Sequence, residues 1–269
     1  MKRLFPLSLL CLFTACRVST SSIELDAPSS PEKPTIQRQQ YEYTGAGRCD
    51  TTTRRGISFR ADYVLLKDPT KASQIINDSV QALVRSSVMG WLDSAPDTRQ
   101  PTDLAAAAHL FAADYRRLLK DVGMVGGCWE LEIKGDTVYV GPQVLTIRME
   151  TYANTGGAHP NTFSTYYSFD RATGRQLRLS DLVTDTTALA PIVERIFRLK
   201  QGISEEQRLE EEGYFAETGR FVLPEHVGVG RKGLIFYYNP YEIAAYAQGP
   251  IEIVVPYREI KEVLQEGVL

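Results

Sequence analysis

The amino-acid sequence predicts an α+β protein in which mainly antiparallel sheets pack against helices, as two closely joined subdomains. Segments with helical and with strand-like periodicity come in blocks, without the regular βαβ alternation of a parallel sheet. Two of the strand-like segments flank a glycine-containing turn, as the strands of a hairpin do. The sequence shows no repeat of fixed period, and the part after residue 40 is long enough for one large domain or two small ones.

The first half of this part begins with a strand and continues with two helices. Residues 56–67 mix alternation with β-branched and aromatic residues, which predicts a strand. Pro69 then opens a helical stretch whose apolar residues recur at spacings of three and four: Ile75, Ile76, Leu83, Val84, Val88, Trp91 and Leu92. A second helix is predicted over 102–122, ended by Gly123, with an apolar stripe of Leu104, Ala108, Phe111, Tyr115 and Leu118.

From Cys128 onwards the chain is dominated by strands. They are predicted over 128–135, 136–140, 144–152, 162–170, 231–239 and 250–257. A third helix is predicted over 186–199, and residues 258–264 indicate a closing helical turn. The glutamate-rich residues 203–215 form a charged helix or a loop.

The first residues predict a lipoprotein signal peptide over 1–15. A positively charged start is followed by a short apolar run and by Ala15 directly before Cys16. The thiol of Cys16 would take diacylglyceryl and fatty acyl (palmitate) chains, which suffice for stable anchoring. The alternative is a plain secretory signal with Cys16 incidental. We therefore expect a protein of the bacterial cell envelope, lipid-anchored at the outer membrane or a periplasmic face, with residues 16–40 as a Ser-, Thr- and Pro-rich tether.

The cysteine count favours one disulfide. Four cysteines are present; Cys11 leaves with the signal peptide and Cys16 carries the lipid. Cys49 and Cys128 remain as an even pair in an oxidising compartment, so we expect them to be bonded. Two buried thiols are the alternative.

The charge balance argues against a nucleic-acid partner. The chain has 30 Lys and Arg against 33 Asp and Glu, and it carries no basic stripe of the kind that binds a phosphate backbone. Its three histidines are scattered, and motifs of zinc or nucleophilic catalysis are missing from the sequence. We predict no metal, no cofactor and no catalytic residue, while the oligomeric state stays open.

Two stretches contain candidate ligand-binding residues. The first is the turn between two predicted strands, with Tyr152, Asn154, His159 and Asn161 as candidates. Gly156 permits positive φ there. His159 is a structural turn residue, a ligand contact or a catalytic base; a base would need an acid or nucleophile within hydrogen-bond reach.

The second stretch is the proline-interrupted loop over 237–250. Its candidates are Tyr238, Asn239, Tyr241, Glu242 and Tyr246. Tyrosine-rich loops provide rigid, amphipathic contact surface suited to proteins or to sugar rings. The alternative is that half of these rings pack underneath the loop.

Three sequence segments carry a family resemblance: TGGAHPNT (155–162), YSFDRATGRQLRLSDLV (167–183) and FYYNPYEIAAYAQGPIEIVVPY (236–257). They resemble the outer region of the RsiV anti-sigma factor and the non-catalytic N-terminal region of PdaC-type peptidoglycan deacetylases. This chain departs from the family at Ala245, where proline is favoured, and at Gln248, where glutamate is frequent.

The resemblance covers about residues 41–260 and implies an α+β binding module of the cell envelope, with one domain over 41–160 and a second over 161–269. In RsiV this region recognises lysozyme, so we expect lysozyme or a peptidoglycan fragment as the ligand. The alternatives are an envelope glycan hydrolase, with His159 and Asp170 or Glu242 as acid and base, and a purely structural envelope lipoprotein.

Overall fold

The computed structural model describes residues 33–43, 49–50, 52, 55–92, 101–122 and 127–267. The predicted signal peptide, Cys16 and most of the predicted tether lie outside these residues. None of the helices in the described part of the chain has both the length and the apolar character that are needed to cross a membrane.

A six-stranded sheet forms the larger layer of the fold. Its strands, in chain order and in spatial order, are β1 (Ile36–Tyr43), β2 (Ile57–Leu66), β3 (Trp129–Val140), β4 (Val144–Asn154), β5 (Asn161–Asp170) and β6 (Gln176–Leu177). The β2–β3 pair is parallel and the other pairs are antiparallel. β6 pairs only with Ser168 and Phe169 near the end of β5, so one edge of the first half of β5 has no neighbouring strand in this sheet.

Two helices cover one face of this sheet, α1 (Lys71–Met89) and α2 (Leu104–Val122). The Thr70 side chain accepts a hydrogen bond from the Ser73 backbone N–H and starts α1. Apolar residues at helical spacing turn inward from both helices and bury a core with β2, β3 and β4. Both helices were predicted from this spacing.

A second core lies under a three-stranded antiparallel sheet of β7 (His226–Val229), β8 (Gly233–Tyr238) and β9 (Ile251–Pro256). The remaining elements are α3 (Leu179–Leu182), α4 (Thr186–Gln201), the 3₁₀ helix η1 (Tyr246–Gln248) and α5 (Tyr257–Ile260). α4 packs its apolar side against this sheet. It starts at Asp185, whose carboxylate caps the first turn, and ends at Gly202 in the left-handed conformation.

The two sheets meet along the edge of β5. Tyr166 packs against Ile235 and Tyr237 of β8, and its hydroxyl donates a 2.6 Å hydrogen bond to the Glu252 carboxylate. Gly228 of β7 lies flat against the Tyr166 ring, where a Cβ would come within 3 Å of it. The described residues thus confirm an α+β fold with mainly antiparallel sheets and two joined hydrophobic cores.

Two details differ from the sequence-based expectations. Residues 36–40, assigned to the tether, belong to β1; this edge strand is largely exposed and so has no apolar alternation. The segments 128–135 and 136–140 form one strand, β3, with an irregularity between Thr137 and Tyr139. Residues 203–215, for which a helix or a loop was expected, form turns, in agreement with the loop.

The predicted domain limits stay a prediction. β5 and β6 follow residue 160 in the chain and join the sheet built by the strands before it.

Candidate ligand-binding site

Two chain connections meet at one end of the molecule. The first is the turn of residues 155–160 between β4 and β5. Asn154 accepts a hydrogen bond from the Gly156 N–H through its side-chain oxygen, and Gly156 has a φ of 89°. This local bond and the positive φ reverse the chain and place His159 just before β5.

The proton position on His159 follows from its neighbours. Its Nδ1 lies 2.9 Å from the Pro160 carbonyl oxygen, and its Nε2 lies 3.0 Å from the Tyr241 hydroxyl. Because a carbonyl oxygen only accepts, Nδ1 carries the hydrogen in the neutral ring and Nε2 is left to accept from Tyr241. His159 therefore uses both ring nitrogens to hold the second connection against the first.

That second connection is the loop of residues 239–250 between β8 and β9. Glu242 closes its first turn by accepting hydrogen bonds from the Asn239 backbone N–H (3.0 Å) and side-chain amide (3.2 Å). Tyr241 adopts a φ of 73°, an uncommon conformation for a large side chain. The loop thus holds Tyr241 in a strained backbone conformation, with its side chain beside His159.

His159, Tyr241 and Tyr246 form what we term the histidine–tyrosine cluster. The His159 and Tyr246 rings are stacked with centroids 4.1 Å apart, and the two tyrosine rings are 5.4 Å apart. The Tyr246 hydroxyl donates to the Pro160 carbonyl oxygen at 3.1 Å. Tyr241 is 61% and Tyr246 38% exposed, so the cluster is a fixed aromatic surface open to solvent.

Tyr152 of β4 borders this cluster. Burial, the Glu130 and Glu132 carboxylates on the neighbouring strand β3, and Tyr246 together raise the pKa of the Tyr152 phenol. The half-buried Tyr152 therefore stays neutral and extends the aromatic surface along the sheet.

Asn239 has a structural role below the loop. It is only 3% exposed. Its side-chain oxygen accepts from the Ser164 N–H at 2.6 Å, and its amide donates to the Ser164 carbonyl oxygen at 3.0 Å. The side chain thus pairs both backbone groups of Ser164 at the free edge of β5, in place of a neighbouring strand.

Glu242 pairs with His226, the first residue of β7. The His226 Nε2 lies 3.1 Å from a Glu242 carboxylate oxygen. Burial opposes ionisation of Glu242, but hydrogen bonds from His226 and Asn239 outweigh it and hold the pKa of Glu242 below its usual value. The ring of Phe163 meets His226 edge-on at 5.0 Å.

A cavity of about 690 Å³ opens beside the cluster, between residues 213–225 and residues 238–245. Tyr241 and Glu242 belong to its lining, so the cavity and the histidine–tyrosine cluster share a wall. Its walls are mostly apolar and aromatic, with a few carboxylates. This composition and volume are typical of sites that hold an organic ligand or a side chain of a partner.

Of the nine candidate ligand-binding residues, the structure brings His159, Tyr241 and Tyr246 into contact. Asn239 and Glu242 build the loop underneath, and Asn154 shapes the turn. Tyr238 is buried, donates its hydroxyl hydrogen to the Val222 carbonyl oxygen and reaches the cavity from the core. Asn161 is half-buried at the start of β5, opposite Ala153.

The acid–base pairs considered for a hydrolase are not formed. Asp170 lies at the opposite end of β5 from His159, and its carboxylate accepts hydrogen bonds from the Ala172 and Thr173 backbone N–H groups of the following turn. Glu242 pairs with His226, not with His159. The described residues also hold no group of three or more His, Cys, Asp or Glu side chains placed to bind a metal ion.

Sequence reasoning missed His226, Ser164 and Phe163. His226 pairs with Glu242, 16 positions away in the chain. Ser164 pairs with Asn239, 75 positions away, and Phe163 contacts His226, 63 positions away. None of the three stands in a motif: the β7–β8 pairing brings His226 to Glu242, and the docking of the two sheets brings Ser164 and Phe163 to their partners. The predicted Cys49–Cys128 disulfide, by contrast, is formed, with a Cα–Cα distance of 5.4 Å.

Comparison with known proteins gives a family match for the part of the chain that contains the tyrosine-rich loop, residues 239–250. Residues 180–258 match the model of the family described as "Protein of unknown function (DUF3298)". The match contains β7, β8, β9 and the tyrosine-rich loop.

Two solved structures of DUF3298 family proteins share the fold. One, from Bacteroides fragilis, has a TM-score of 0.66 and 20% identity over 87% of this chain and 95% of its own. The other, from Pseudomonas aeruginosa, has a TM-score of 0.64 and 18% identity over 88% of this chain and 97% of its own. At these identities the likeness establishes the fold.

Among curated proteins, the chain is similar to the immunogenic protein MPT64 of Mycobacterium tuberculosis and to MPB64 of Mycobacterium bovis. Each is 28% identical over 125 residues, which are 46% of this chain. The chain spans about half (53%) of the length of these relatives.

Proposed function

We propose that this protein is a lipid-anchored, extracytoplasmic binding module of the bacterial cell envelope, with lysozyme or a peptidoglycan-derived fragment as its ligand. The observation that carries the proposal is the convergence of two connections: the turn of residues 155–160, which we call the histidine turn, and the tyrosine-rich loop of residues 239–250. Together they form one exposed aromatic surface beside a cavity.

The geometry favours binding because the contact surface is already built. The rings of the histidine–tyrosine cluster are held by hydrogen bonds to each other and to Pro160, so a ligand pays little conformational entropy to order them. Fixed tyrosines offer both a face for stacking and a hydroxyl for hydrogen bonding, which suits a sugar ring or a protein surface equally well.

The placement outside the cytoplasm rests on separate observations. The first 16 residues have the pattern of a lipoprotein signal, and a Cys49–Cys128 disulfide fits an oxidising compartment. The resemblance to the outer region of RsiV and to PdaC-type deacetylases supports the envelope and the ligand class. Two of the three segments that carry it, 155–162 and 236–257, supply the cluster.

Isothermal titration calorimetry of the full chain against lysozyme and against a disaccharide–tetrapeptide muropeptide tests the proposal. We expect at least one of them to bind, and His159→Ala and Tyr246→Ala each to weaken binding by about tenfold, the value of one aromatic contact. His109→Ala is the matched control, since His109 is an exposed histidine on α2, the helix that covers the other core.

Two outcomes contradict the proposal. If neither ligand class binds, the envelope role is structural. If binding is unchanged in both cluster variants, the ligand site lies elsewhere.

A further inference from the structure

The cavity beside the histidine–tyrosine cluster has a one-sided charge. Glu217, Glu225 and Glu242 are in its lining, and none of the described lining residues is basic. The rest of the wall includes Phe215 and Ile243, which give it an apolar interior. A cationic group on an apolar stem is complementary to such a wall.

The acidic character extends away from the cavity along residues 203–217. This segment holds six glutamates and one arginine, and that arginine, Arg208, is paired with Glu210. Charge of one sign along the approach to a cleft attracts partners of the opposite sign and speeds their association. The segment that was singled out by its charge therefore leads directly into the cavity.

The acidic segment is firmly attached to the tyrosine-rich loop. The Phe215 N–H donates to the Ile243 carbonyl oxygen at 2.7 Å, and the Phe215 ring contacts Phe197, Phe221 and Tyr238 in the core. These contacts of Phe215 thus fix both walls of the cavity, while Glu217 and Glu225 are exposed residues of its lining.

We propose that this cavity receives a lysine or arginine side chain, together with a neighbouring apolar residue, from an exposed segment of a basic protein. The inference rests on the proposed function and selects between its two ligand classes. A peptidoglycan stem peptide is net negative, since its carboxylates outnumber the amino group of its diamino acid, and the acidic approach repels it, whereas a basic protein such as lysozyme presents the complementary charge. The cluster then contacts the surface of the same partner beside this anchor.

Two acetylated and amidated tetrapeptides, LKFK and LEFE, serve as probes of the full chain in calorimetric titrations at low ionic strength. LKFK is expected to bind and LEFE not to bind. The double variant Glu217→Gln/Glu225→Gln should weaken LKFK binding by roughly fivefold, since each rim carboxylate contributes modestly. Added salt should reduce this difference because it screens exposed charges.

The matched control is Glu262→Gln/Glu266→Gln, which makes the same change in net charge at two exposed positions near the C-terminus and should leave LKFK binding unchanged. Ala245→Trp is a second variant, which places a bulky ring at a position that lines the cavity and should abolish LKFK binding.

Equal binding of LKFK and LEFE, equal loss in the two charge variants, or no binding of LKFK would overturn the inference. The proposed function has a separate readout. If lysozyme or muropeptide still binds and depends on His159 and Tyr246, the binding module stands and only the basic anchor is wrong. If LKFK binds but neither envelope ligand does, the proposed function fails and the cationic site remains.

Discussion

At the scale of single residues, the site contains a conflict between local preference and tertiary contacts. Tyr241 occupies a left-handed backbone conformation, which costs an L-residue about 1–2 kcal/mol. The neighbouring bonds compensate: Glu242 closes the turn onto Asn239, and His159 accepts from the Tyr241 hydroxyl. A position that retains strain while it exposes its ring to solvent is characteristic of functional loops.

Asn239 gives a sharp prediction at this scale. Asn239→Ala removes the side chain that pairs both backbone groups of the buried Ser164, and leaving two such groups unpaired costs about 1–3 kcal/mol each. We expect the free energy of unfolding to fall by about 3 kcal/mol in denaturant titrations. Gln248→Ala, which removes an exposed amide from the same loop, is the control and should change it by less than about 0.5 kcal/mol. A similar small loss for both variants would show that Asn239 does not join the sheets.

Glu242 makes the stability depend on pH in a defined direction. Its pKa is lower in the folded protein than in the unfolded chain, so its contribution is fully present above the unfolded value of about 4.3. The contribution is lost as the pH falls through the folded pKa.

We therefore expect Glu242→Gln to be less stable than the wild type at pH 7, and the difference to shrink below about pH 4.3. Thermal unfolding of both proteins between pH 7 and pH 3 measures it. Glu262→Gln changes an exposed position, and its difference in stability from the wild type should not shrink in this way at low pH. A difference between wild type and Glu242→Gln that stays constant with pH would mean that the His226–Glu242 pair is not coupled to folding.

At the scale of elements, strongly periodic segments were predictable and their partners were not. Apolar spacing located α1, α2 and α4, and runs rich in β-branched and aromatic residues located β4, β5, β8 and β9. β1 escaped prediction because it lies at a sheet edge with mostly exposed side chains. The contact between the histidine turn and the tyrosine-rich loop joins residues 82 positions apart, and local periodicity contains no information about that separation.

The disulfide acts at the same scale, because it ties Cys128, directly before β3, to Cys49 between β1 and β2. The bond closes a loop of 79 positions, which the chain-entropy model values at about 4–5 kcal/mol and measurements on native disulfides at about 2–5 kcal/mol.

We expect Cys49→Ala/Cys128→Ala to lower the free energy of unfolding by about 2–4 kcal/mol. Urea titrations with and without a reductant measure it. Reductant should destabilise the wild type to the level of the double variant and leave the variant unchanged. If reductant has no effect on the wild type, the two cysteines are not bonded in the purified protein.

At the scale of the whole molecule, the site depends on both cores. The six-stranded sheet supplies His159 and Tyr152, the three-stranded sheet supplies the tyrosine-rich loop, and Asn239 and Tyr166 fix the two sheets along β5. A ligand that spans the cluster therefore contacts both halves of the fold. Binding should stabilise them together, since a ligand that binds only the native arrangement adds its binding free energy to folding.

The leader connects this fold to a membrane in our proposal, and Cys16 is the residue on which that connection rests. Lipidation requires a thiol at the new N-terminus, and two or more acyl chains hold a protein stably in a bilayer. When the full chain is expressed with its own leader in a bacterium, we expect it in the membrane fraction, with acyl chains on Cys16 detected by mass spectrometry. Cys16→Ala should abolish acylation.

Cys11→Ala is the matched control, because Cys11 lies within the apolar part of the leader and should leave acylation and membrane fractionation intact. The two variants separate the proposed roles of the leader, since in our proposal export depends on its charged start and apolar run and the anchor depends on one sulfur atom. Recovery of both wild type and Cys16→Ala outside the membrane fraction, with no acyl group on either, would mean that the chain has no lipid anchor. The binding site would then have to be presented to its ligand from free solution.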